Sequence, residues 1–522
     1  MTISPAWRRI ALLLVSSLIV VATFAPSSGA VHVYRTTQLS MLTLHPTAPL
    51  GSSLLAIINS GETPASLPGF MFEGIPDGIG AMPGPSTGTV DVFVNHEQSH
   101  VPFGGFGDLV DASVSKLTLD TTSGDEGVLA ASVPIPSGAG YLRFCSSTMA
   151  GPPEGLDRYL YFTNEESNDV VPVPAGAPYG PDPSLDPMRQ AGYSVVLDPA
   201  TGAFTQVPGM GRHNHENTMV VPGGWNRIAV LSGDDTFFSS PLPDWSQLYL
   251  YLVGNEDALL ADLGSLWAFR VTKTDEGPVN PNDPFNGAND YGDIQSGDAW
   301  RGRFIRVPPM IARGLTSESP QDALENWSND HNVFQFIRVE DTAYDRTNPR
   351  VVYIADTGDR RMVPDPATGR LTRGPSGTSG AFPNGRIYRM EFSAENPRKV
   401  DSFSILLNGD TGEPGGTLGP IFQPDNVGTS PNSLMVQEDT SQTSSRVWRY
   451  DFATAMWSIV ATVNDPDWES SGIVDVSEWF GPGSWLLDVQ AHDVFVATAP
   501  GPPGVTLKRE GGQLLLMKVP GS

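Results

Sequence analysis

The sequence predicts an all-β protein and, within that class, a six-bladed β-propeller. Three observations carry this prediction. No long segment of the mature chain repeats its apolar residues with the 3.6-residue period of a helix. Short β-rich runs are separated by turn residues, among them 55 Gly and 47 Pro. One phrase, an apolar strand that runs directly into polar or acidic residues, occurs six times. Repeated strand units that pack against one another are typical of propellers.

Each copy of the phrase is followed by a second strand with which it is expected to pair. The six strands are 90–94, 159–163, 228–231, 351–354, 434–436 and 485–489. The expected partners are 114–119, 193–197, 265–271, 385–392, 446–452 and 512–519. The unequal spacing of the copies leaves one alternative open, which is a pair of β-sandwiches.

Long segments rich in Pro, Gly and Asp interrupt the repeat at 151–187, 274–319 and 360–383. We expect these insertions to be loops over one face of the propeller. Neither a Ser/Gly linker nor a heptad repeat marks a second domain. Residues 31–522 are therefore predicted to form a single propeller domain, because propellers of this length fold as one unit.

Residues 1–30 have the features of a signal peptide. Arg8 and Arg9 supply the positive region, residues 10–24 are almost all apolar, and 28–30 are the small residues of a cleavage site. A segment of fifteen residues is too short to span a bilayer as a helix. No later segment is long and apolar enough to do so. We expect a periplasmic or extracellular protein without a membrane span after cleavage.

The charge balance is strongly acidic, with 31 Lys and Arg against 58 Asp and Glu and a net charge of −27. Such a surface repels nucleic acid, anionic membranes and phosphate esters. Nucleic acid is therefore not an expected partner, and a monomer is expected because no interface pattern is visible. Chemistry on an anionic substrate would need bound metal or a focused arginine to reverse the local field.

The ends of the repeated strands carry the candidate chemistry. In a propeller these ends converge on one channel mouth, so residues far apart in sequence become neighbours. So many carboxylates can crowd together only around hard cations, of which calcium is the natural candidate. For any single residue, a solvated strand end is the simpler interpretation. The carboxylates are those of Glu97, Glu165, Glu166, Asp234, Asp235, Asp356, Glu438 and Asp439, with Glu216, Glu340 and Asp341 nearby.

Residues 96–100 match the zinc motif H-E-x-x-H, but their context argues against a zinc site. The motif needs a helix, because only there do histidines four residues apart share a face. Here the motif continues a strand, and Pro102, Gly104 and Gly105 follow it. Glycine loops for nucleotides and the G-x-S-x-G elbow of serine hydrolases are also absent from the sequence.

In the order of its short motifs, the sequence resembles the PhoX-type alkaline phosphatases along most of the predicted mature chain. The motifs are Val94-Asn95-His96-Glu97, Cys145 with Glu165-Glu166, His215-Glu216, Gly233-Asp234-Asp235, Arg338-Val339-Glu340, Pro424-Asp425-Asn426 with Asp439, and Glu469-Ser470-Ser471-Gly472 with Gln490 and His492. The resemblance implies a secreted six-bladed propeller whose calcium and iron cluster removes phosphate from small-molecule monoesters.

The same resemblance implies a role for each matching residue. Cys145 would be an iron-bound thiolate, which gives the single cysteine of this chain a function. The implied further ligands of Fe³⁺ and Ca²⁺ are Glu97, Glu166, Glu216, Glu340 and Asp439. Arg338 and Glu340 are the implied catalytic residues, with the Arg338 guanidinium facing the phosphoryl oxygens.

Two departures from the family pattern keep other functions open. The segment from Cys145 to Glu166 is longer than usual, and the usual Arg-Pro-Glu is Arg338-Val339-Glu340 here. One alternative is a calcium-loaded propeller that binds a protein or glycan without turnover. Another is a propeller hydrolase of a different ester class, acting on phosphodiesters, phytate or lactones.

Overall fold

The computed structural model describes residues 33–236, 246–272, 290–364 and 371–522. Within these ranges the chain forms six four-stranded antiparallel blades, so the predicted all-β propeller is confirmed. Blade 1 consists of Pro76–Pro83, Thr89–His96, Ser113–Asp120 and Gly127–Ile135. Blade 2 consists of Phe144–Ala150, Leu160–Glu165, Ser194–Asp198 and Ala203–Gln206. Blade 3 consists of His215–Val220, Ile228–Asp234, Leu248–Val253 and Ser265–Thr272.

The second half of the chain repeats this arrangement, and an N-terminal strand completes the last blade. Blade 4 consists of Val339–Tyr344, Val351–Asp356, Arg386–Phe392 and Lys399–Asn408. Blade 5 consists of Pro424–Thr429, Ser433–Glu438, Arg446–Asp451 and Met456–Val463. Blade 6 consists of Glu469–Asp475, Ser484–Pro500, Thr506–Lys518 and, as its outer strand, Ser53–Asn59. Both ends of the described chain are thus held in one sheet.

The first strands of the six blades surround the propeller axis. Each contacts the first strands of its two neighbours, and the first strand of blade 6 contacts that of blade 1, so the ring closes. The backbones approach closely at this closure. Gly472 has a φ of 45°, and a Cβ there would lie 2.6 Å from the carbonyl oxygen of Asp77. Only glycine fits that position without displacing blade 1.

The apolar core is divided among the spaces between blades. Six clusters of buried side chains each join two adjacent blades. Between blades 3 and 4, for example, Phe269 and Phe336 pack with Tyr388 and Phe403. Because every blade packs against a neighbour on both faces, its second strand is buried almost throughout and need not alternate, whereas outer strands such as Gly127–Ile135 are partly exposed.

Short elements outside the blades lie in the connections. Trp300–Arg306 pairs with the fourth strands of both blades 3 and 4, and Leu42–Leu44 adds to blade 5. Phe106–Asp108 runs parallel to Thr506–Lys518. Two small hairpins pair Val170–Pro172 with Met188–Gln190 and Met362–Pro364 with Leu371–Arg373. The helices are Glu256–Leu260, Pro309–Ala312, Pro320–Asp330 and Ser477–Phe480.

Two expectations from the sequence differ from the structure. The partner of the second strand of blade 3 is Leu248–Val253, whereas Ser265–Thr272 is one strand further out. Leu248–Val253 is buried along its whole length and shows no alternation, so no pattern distinguished it. The three insertions are also not unbroken loops: 151–187 contains Leu160–Glu165, 274–319 contains Trp300–Arg306, and 360–383 contains a hairpin.

The predicted signal peptide, residues 1–30, lies outside the described residues. Val33–Ser522 forms one compact unit. Among the described residues, the helices are too short or too polar to cross a membrane.

Candidate metal centre

In blades 1 to 5 the first strand begins opposite the end of the second strand, and in blade 6 it begins opposite Gln490, inside the long strand Ser484–Pro500. The pairs are Pro76 with His96, Phe144 with Glu165, His215 with Asp234, Val339 with Asp356, Pro424 with Glu438, and Glu469 with Gln490. Shortly after each pair the register shifts at a β-bulge. Bulges bend a strand and re-aim its side chains, and they are frequent next to active sites. A β-bulge near the start of the first strand therefore occurs in all six blades, at one end of the propeller axis.

The bulges bring together a group of metal-ligating side chains. Three sets of ligand atoms each lie within 4.8 Å of one another: Asp77, Glu97 and Cys145; Cys145, Glu166 and Glu216; and Glu216, Glu340 and Asp425. Cys145 and Glu216 each belong to two sets, so the three sets are continuous. We call these seven residues the axial cluster. Five of them, Asp77, Cys145, Glu216, Glu340 and Asp425, come from the bulges of five successive blades.

The carboxylates of the axial cluster oppose one another's ionisation. Burial raises the pKa of Glu216 well above its usual value, and the neighbouring Glu340 and Glu166 raise it further. Burial and the nearby Glu97 raise the pKa of Asp77 to about 7. Each of these groups would be an ordinary carboxylate if a cation lay between them. The cluster is therefore suited to binding cations, because without a cation its carboxylates disfavour one another's ionised form.

Glu216 gives the most direct sign that the cluster fits metal. Its side chain is fully buried, and neither carboxylate oxygen has a hydrogen-bond partner among the described residues. A buried carboxylate without a partner costs several kcal/mol, roughly, unless a counter-charge is present. Calcium takes carboxylate oxygens as its ligands, so the donor set suits it.

Cys145 adds a softer ligand atom to the same cluster. Its Sγ lies 3.4 Å from Oδ2 of Asp77. Burial raises the pKa of the thiol well above its ordinary value, and the carboxylates of Asp77, Glu216 and Glu166 add to this. Only a bound cation would favour the thiolate in such surroundings. Thiolate with carboxylate is a donor set that suits iron better than calcium.

Side chains from neighbouring blades hold the ligands in place. Gln490 of blade 6 donates from Nε2 to Oδ2 of Asp77 at 2.7 Å and to Oε2 of Glu97 at 3.0 Å. Ser471 donates to Oδ1 of Asp77 at 2.8 Å. Asn95 of blade 1 donates to the carbonyl of Cys145 at 2.6 Å. Such outer contacts fix the orientation of ligands before a metal binds.

Arg338 lies at the edge of the axial cluster. Its Nε and Nη2 donate to the two oxygens of Asp235 at 2.9 and 2.7 Å. The same Nη2 lies 3.1 Å from Oε1 of Glu340. The guanidinium is thus held by a fully buried carboxylate and is placed directly beside a cluster ligand.

The structure places the residues proposed from the sequence as follows. Five of the six proposed metal ligands, Glu97, Cys145, Glu166, Glu216 and Glu340, belong to the axial cluster. Asp439 is not in any of the three sets. It lies close enough to raise the pKa of both Asp425 and Glu340.

Other carboxylates at the strand ends do not join the cluster, contrary to the expectation that all of them converge. Glu165 is bound by Arg189, with Oε1 to Nη2 at 2.8 Å and Oε2 to Nη1 at 3.0 Å. Both oxygens of Glu438 accept from Arg446. Asp356 accepts the backbone N–H groups of residues 337, 338 and 358. In two doublets of adjacent acids only one member belongs to the axial cluster: Glu166 rather than Glu165, and Glu340 rather than Asp341, which accepts the backbone N–H groups of Thr342 and Val427.

Sequence reasoning missed two members of the cluster as ligands, Asp77 and Asp425. Both follow a proline and precede Gly78 or Asn426 at the start of a first strand. The shared pattern Pro-Asp-Gly/Asn was the available signal. Pro424-Asp425-Asn426 is among the motifs of the family resemblance, but the roles implied by the resemblance do not include Asp425 as a ligand, and Pro76-Asp77-Gly78 is not among those motifs.

His96, His100 and His215 have structural partners, whereas neither ring nitrogen of the buried His213 has a hydrogen-bond partner among the described residues. In the H-E-x-x-H segment, His96 is buried and bonds through Nε2 to Oγ of Ser115 at 2.8 Å. His100 is about half exposed and pairs with Asp111. The two rings therefore do not converge on a common position. Farther along, His215 is held by Ser232 and by the carbonyl of Gly211.

Comparison with known proteins gives a likeness of fold. The chain is similar to the structure of Pseudomonas fluorescens PhoX in complex with vanadate, a transition state analogue, at 14% identity and a TM-score of 0.62. That match covers 93% of this chain and 97% of the other. The periplasmic gluconolactonase PpgL of Pseudomonas aeruginosa matches at 13% identity, covering 84% and 88%, with a TM-score of 0.33. No family model and no curated protein matches the chain. The chain therefore shares the fold of the PhoX structure.

Proposed function

We propose that this protein is a metal-dependent phosphomonoesterase of the PhoX type, active at alkaline pH. One observation carries the proposal: the axial cluster places thiolate and carboxylate ligands in continuous sets, with both oxygens of buried Glu216 unpartnered among the described residues. The similar PhoX structure binds vanadate, and Arg338 lies beside this cluster. Together these features favour phosphoryl chemistry over other reactions of propeller hydrolases.

The donor atoms divide naturally between two kinds of cation. Cys145, Glu166 and Glu216 form the set that would hold iron, because only this thiolate is soft. Glu340 and Asp425, with Glu216, form an all-oxygen set suited to calcium, with Asp439 nearby. When bound, such cations would polarise a phosphoryl oxygen and offset its negative charge.

Arg338 would bind and orient the phosphoryl group. A guanidinium matches the oxygens of a phosphate, and such donors contribute most where charge develops in the transition state. Asp235 holds the Arg338 side chain in one orientation through two hydrogen bonds. Because the side chain is already ordered by that contact, it loses less conformational entropy when substrate binds.

The remaining parts of the proposal concern location and substrate. The leader at 1–30 favours export to the periplasm or the exterior. The proposed substrates are small phosphate esters, since the negative charge of the chain disfavours large polyanions such as nucleic acid. A monomer is proposed.

The proposal is tested by hydrolysis of p-nitrophenyl phosphate between pH 7 and pH 10, with calcium and iron supplied and then with a chelator. We expect turnover that the chelator abolishes. Arg338→Ala should lower kcat by about a hundredfold or more, because it removes a transition-state charge partner. Arg398→Ala, on the connection before the fourth strand of blade 4, is the matched control and should leave kcat unchanged. Absence of turnover in protein with verified metal would contradict the proposal.

One observation favours a second candidate, a calcium-loaded propeller that binds a partner without turnover. Arg338 already donates two hydrogen bonds, from Nε and Nη2, to the carboxylate of Asp235. If that contact persists when substrate is present, the phosphoryl group loses its best donor. Stoichiometric calcium together with no hydrolysis of phosphate esters would support this candidate.

A further inference from the structure

A cationic cavity opens beside the axial cluster. It has a volume of about 230 Å³, and its wall includes Arg338, Arg360, Arg361 and Arg373. Asp359 is the acidic residue that lines it. Among the described residues, the wall thus has three arginines besides Arg338 and one carboxylate, in a chain with 58 acidic and 31 basic residues. A cleft lined by one sign of charge concentrates ligands of the opposite sign.

Three of these arginines come from the connection between the second and third strands of blade 4. This connection carries the hairpin of Met362–Pro364 and Leu371–Arg373. Nε of Arg373 lies 2.6 Å from Oδ2 of Asp359, and Nε of Arg361 lies 3.8 Å from Oδ1. Arg360 is exposed. Among the described residues of the wall, Asp359 is therefore shared by Arg361 and Arg373, and together with Arg360 these arginines outnumber it, whereas Arg338 is paired with Asp235 and Glu340.

The cavity is continuous with the proposed phosphoryl site. Arg338 forms part of its wall, and Nη2 of the same residue lies 3.1 Å from Oε1 of Glu340. Gln423 lines the cavity as well, two residues before the cluster residue Asp425. A phosphate bound at Arg338 would thus direct the rest of its ester toward Arg360 and Arg361.

We propose that Arg360 and Arg361 bind a second anionic group carried by the leaving group of the ester. This inference rests on the proposed phosphatase function and specifies its substrate class: phosphate monoesters that also bear a carboxylate or a second phosphate. Arg373 has a positioning role, because its contact with Asp359 holds the connection that presents the other two arginines. A carboxylate or phosphate matches the fork of a guanidinium in geometry and charge.

The test compares two esters of equal size, 4-carboxyphenyl phosphate and 4-carbamoylphenyl phosphate, on the metal-loaded full chain at fixed ionic strength. We expect kcat/KM to favour the carboxylate by about tenfold, the effect of one charge-assisted contact. In Arg360→Ala/Arg361→Ala the ratio should fall to about one. Arg360→Lys/Arg361→Lys should keep part of the preference, because this double substitution keeps the charge. Arg398→Ala should keep the full ratio.

The outcomes separate this inference from the proposed function. Equal or reversed preference in the unmodified protein would overturn the inference, since the net charge alone disfavours the extra anion. A preference that survives in the double alanine variant would overturn it too. If neither ester is hydrolysed, the phosphatase proposal fails. Calorimetric binding of 4-carboxybenzylphosphonate and 4-carbamoylbenzylphosphonate then decides this inference, which predicts tighter, arginine-dependent binding of the carboxylate.

Discussion

Two rows of acidic residues lie at the same end of this propeller and differ in what surrounds them. One row ends the second strands and includes Glu165, Asp356 and Glu438. The other row begins the first strands and includes Glu216 and Asp425. Of these five residues, Asp425 is half-buried and the other four are buried. In blades 2, 4 and 5 the acid that ends the second strand pairs with the first residue of the first strand.

The second-strand row is satisfied by the protein itself. Arg189 binds both oxygens of Glu165, Arg446 binds both oxygens of Glu438, and backbone N–H groups bind Asp356. Within the first-strand row, Glu216 has no such partner among the described residues. Burial of a carboxylate alone therefore does not indicate a metal site. A buried carboxylate that has no counter-ion from the protein does indicate one.

Substitution of a carboxylate in the first-strand row should have the largest effect, and that effect should be on catalytic activity. We expect Glu216→Gln to lower kcat for p-nitrophenyl phosphate by about a thousandfold, because Glu216 belongs to two of the three ligand sets. The metal-free protein should fold at least as well as before, since an unpartnered buried charge has been removed. Activity within tenfold of the unmodified protein would show that the cluster does not act through Glu216.

Substitution in the second-strand row should act on stability instead. We expect Glu165→Gln to lower the free energy of unfolding by about 3 kcal/mol, because it leaves the fully buried Arg189 without its counter-ion. Metal content per folded chain should stay the same. The measurements are chemical denaturation and elemental analysis on the same sample. Loss of metal with unchanged stability would reverse the roles assigned to the two rows.

The effect of pH on the metal-free protein is the smallest expected difference. The pKa of Asp77 is raised to about 7 in the folded chain, chiefly by burial. The folded state therefore holds this proton more tightly than the unfolded state, and stability is lost as pH rises from about 4 to about 7. We expect the Tm of the chelated protein to fall across that window, and to fall less in Asp77→Asn. Saturating calcium should remove the decline in the unmodified protein. A Tm that rises across the window would contradict this interpretation.

The sequence predicts the fold well because each blade repeats a second and a third strand that end in the same way. It fails at Leu248–Val253, which is buried on both faces and carries no alternation. β-Bulges likewise cannot be predicted from the periodicity of the sequence, because the extra residue interrupts the alternation of the strand. Asp77 lies in such a bulge, where the sequence offers only the short Pro-Asp-Gly pattern that resembles Pro424-Asp425-Asn426.

Which of two adjacent acids is structural depends on which one forms an ion pair with an arginine. That ion pair depends on the tertiary structure. Glu165 and Glu166 are adjacent and chemically equivalent in sequence, yet Arg189 reaches only the first. The resemblance to PhoX-type phosphatases selected Glu166, the member that the structure places in the axial cluster. Periodicity and composition could not have made that choice.

Whether the axial cluster holds cations is best measured through the metal content of the protein. Elemental analysis of the purified mature protein should find iron together with calcium, bound stoichiometrically and surviving gel filtration. Glu216→Gln should lose both metals in part, and Cys145→Ser should lose iron while it keeps calcium. A folded protein that binds neither iron nor calcium stoichiometrically, even after both are supplied, would contradict the account.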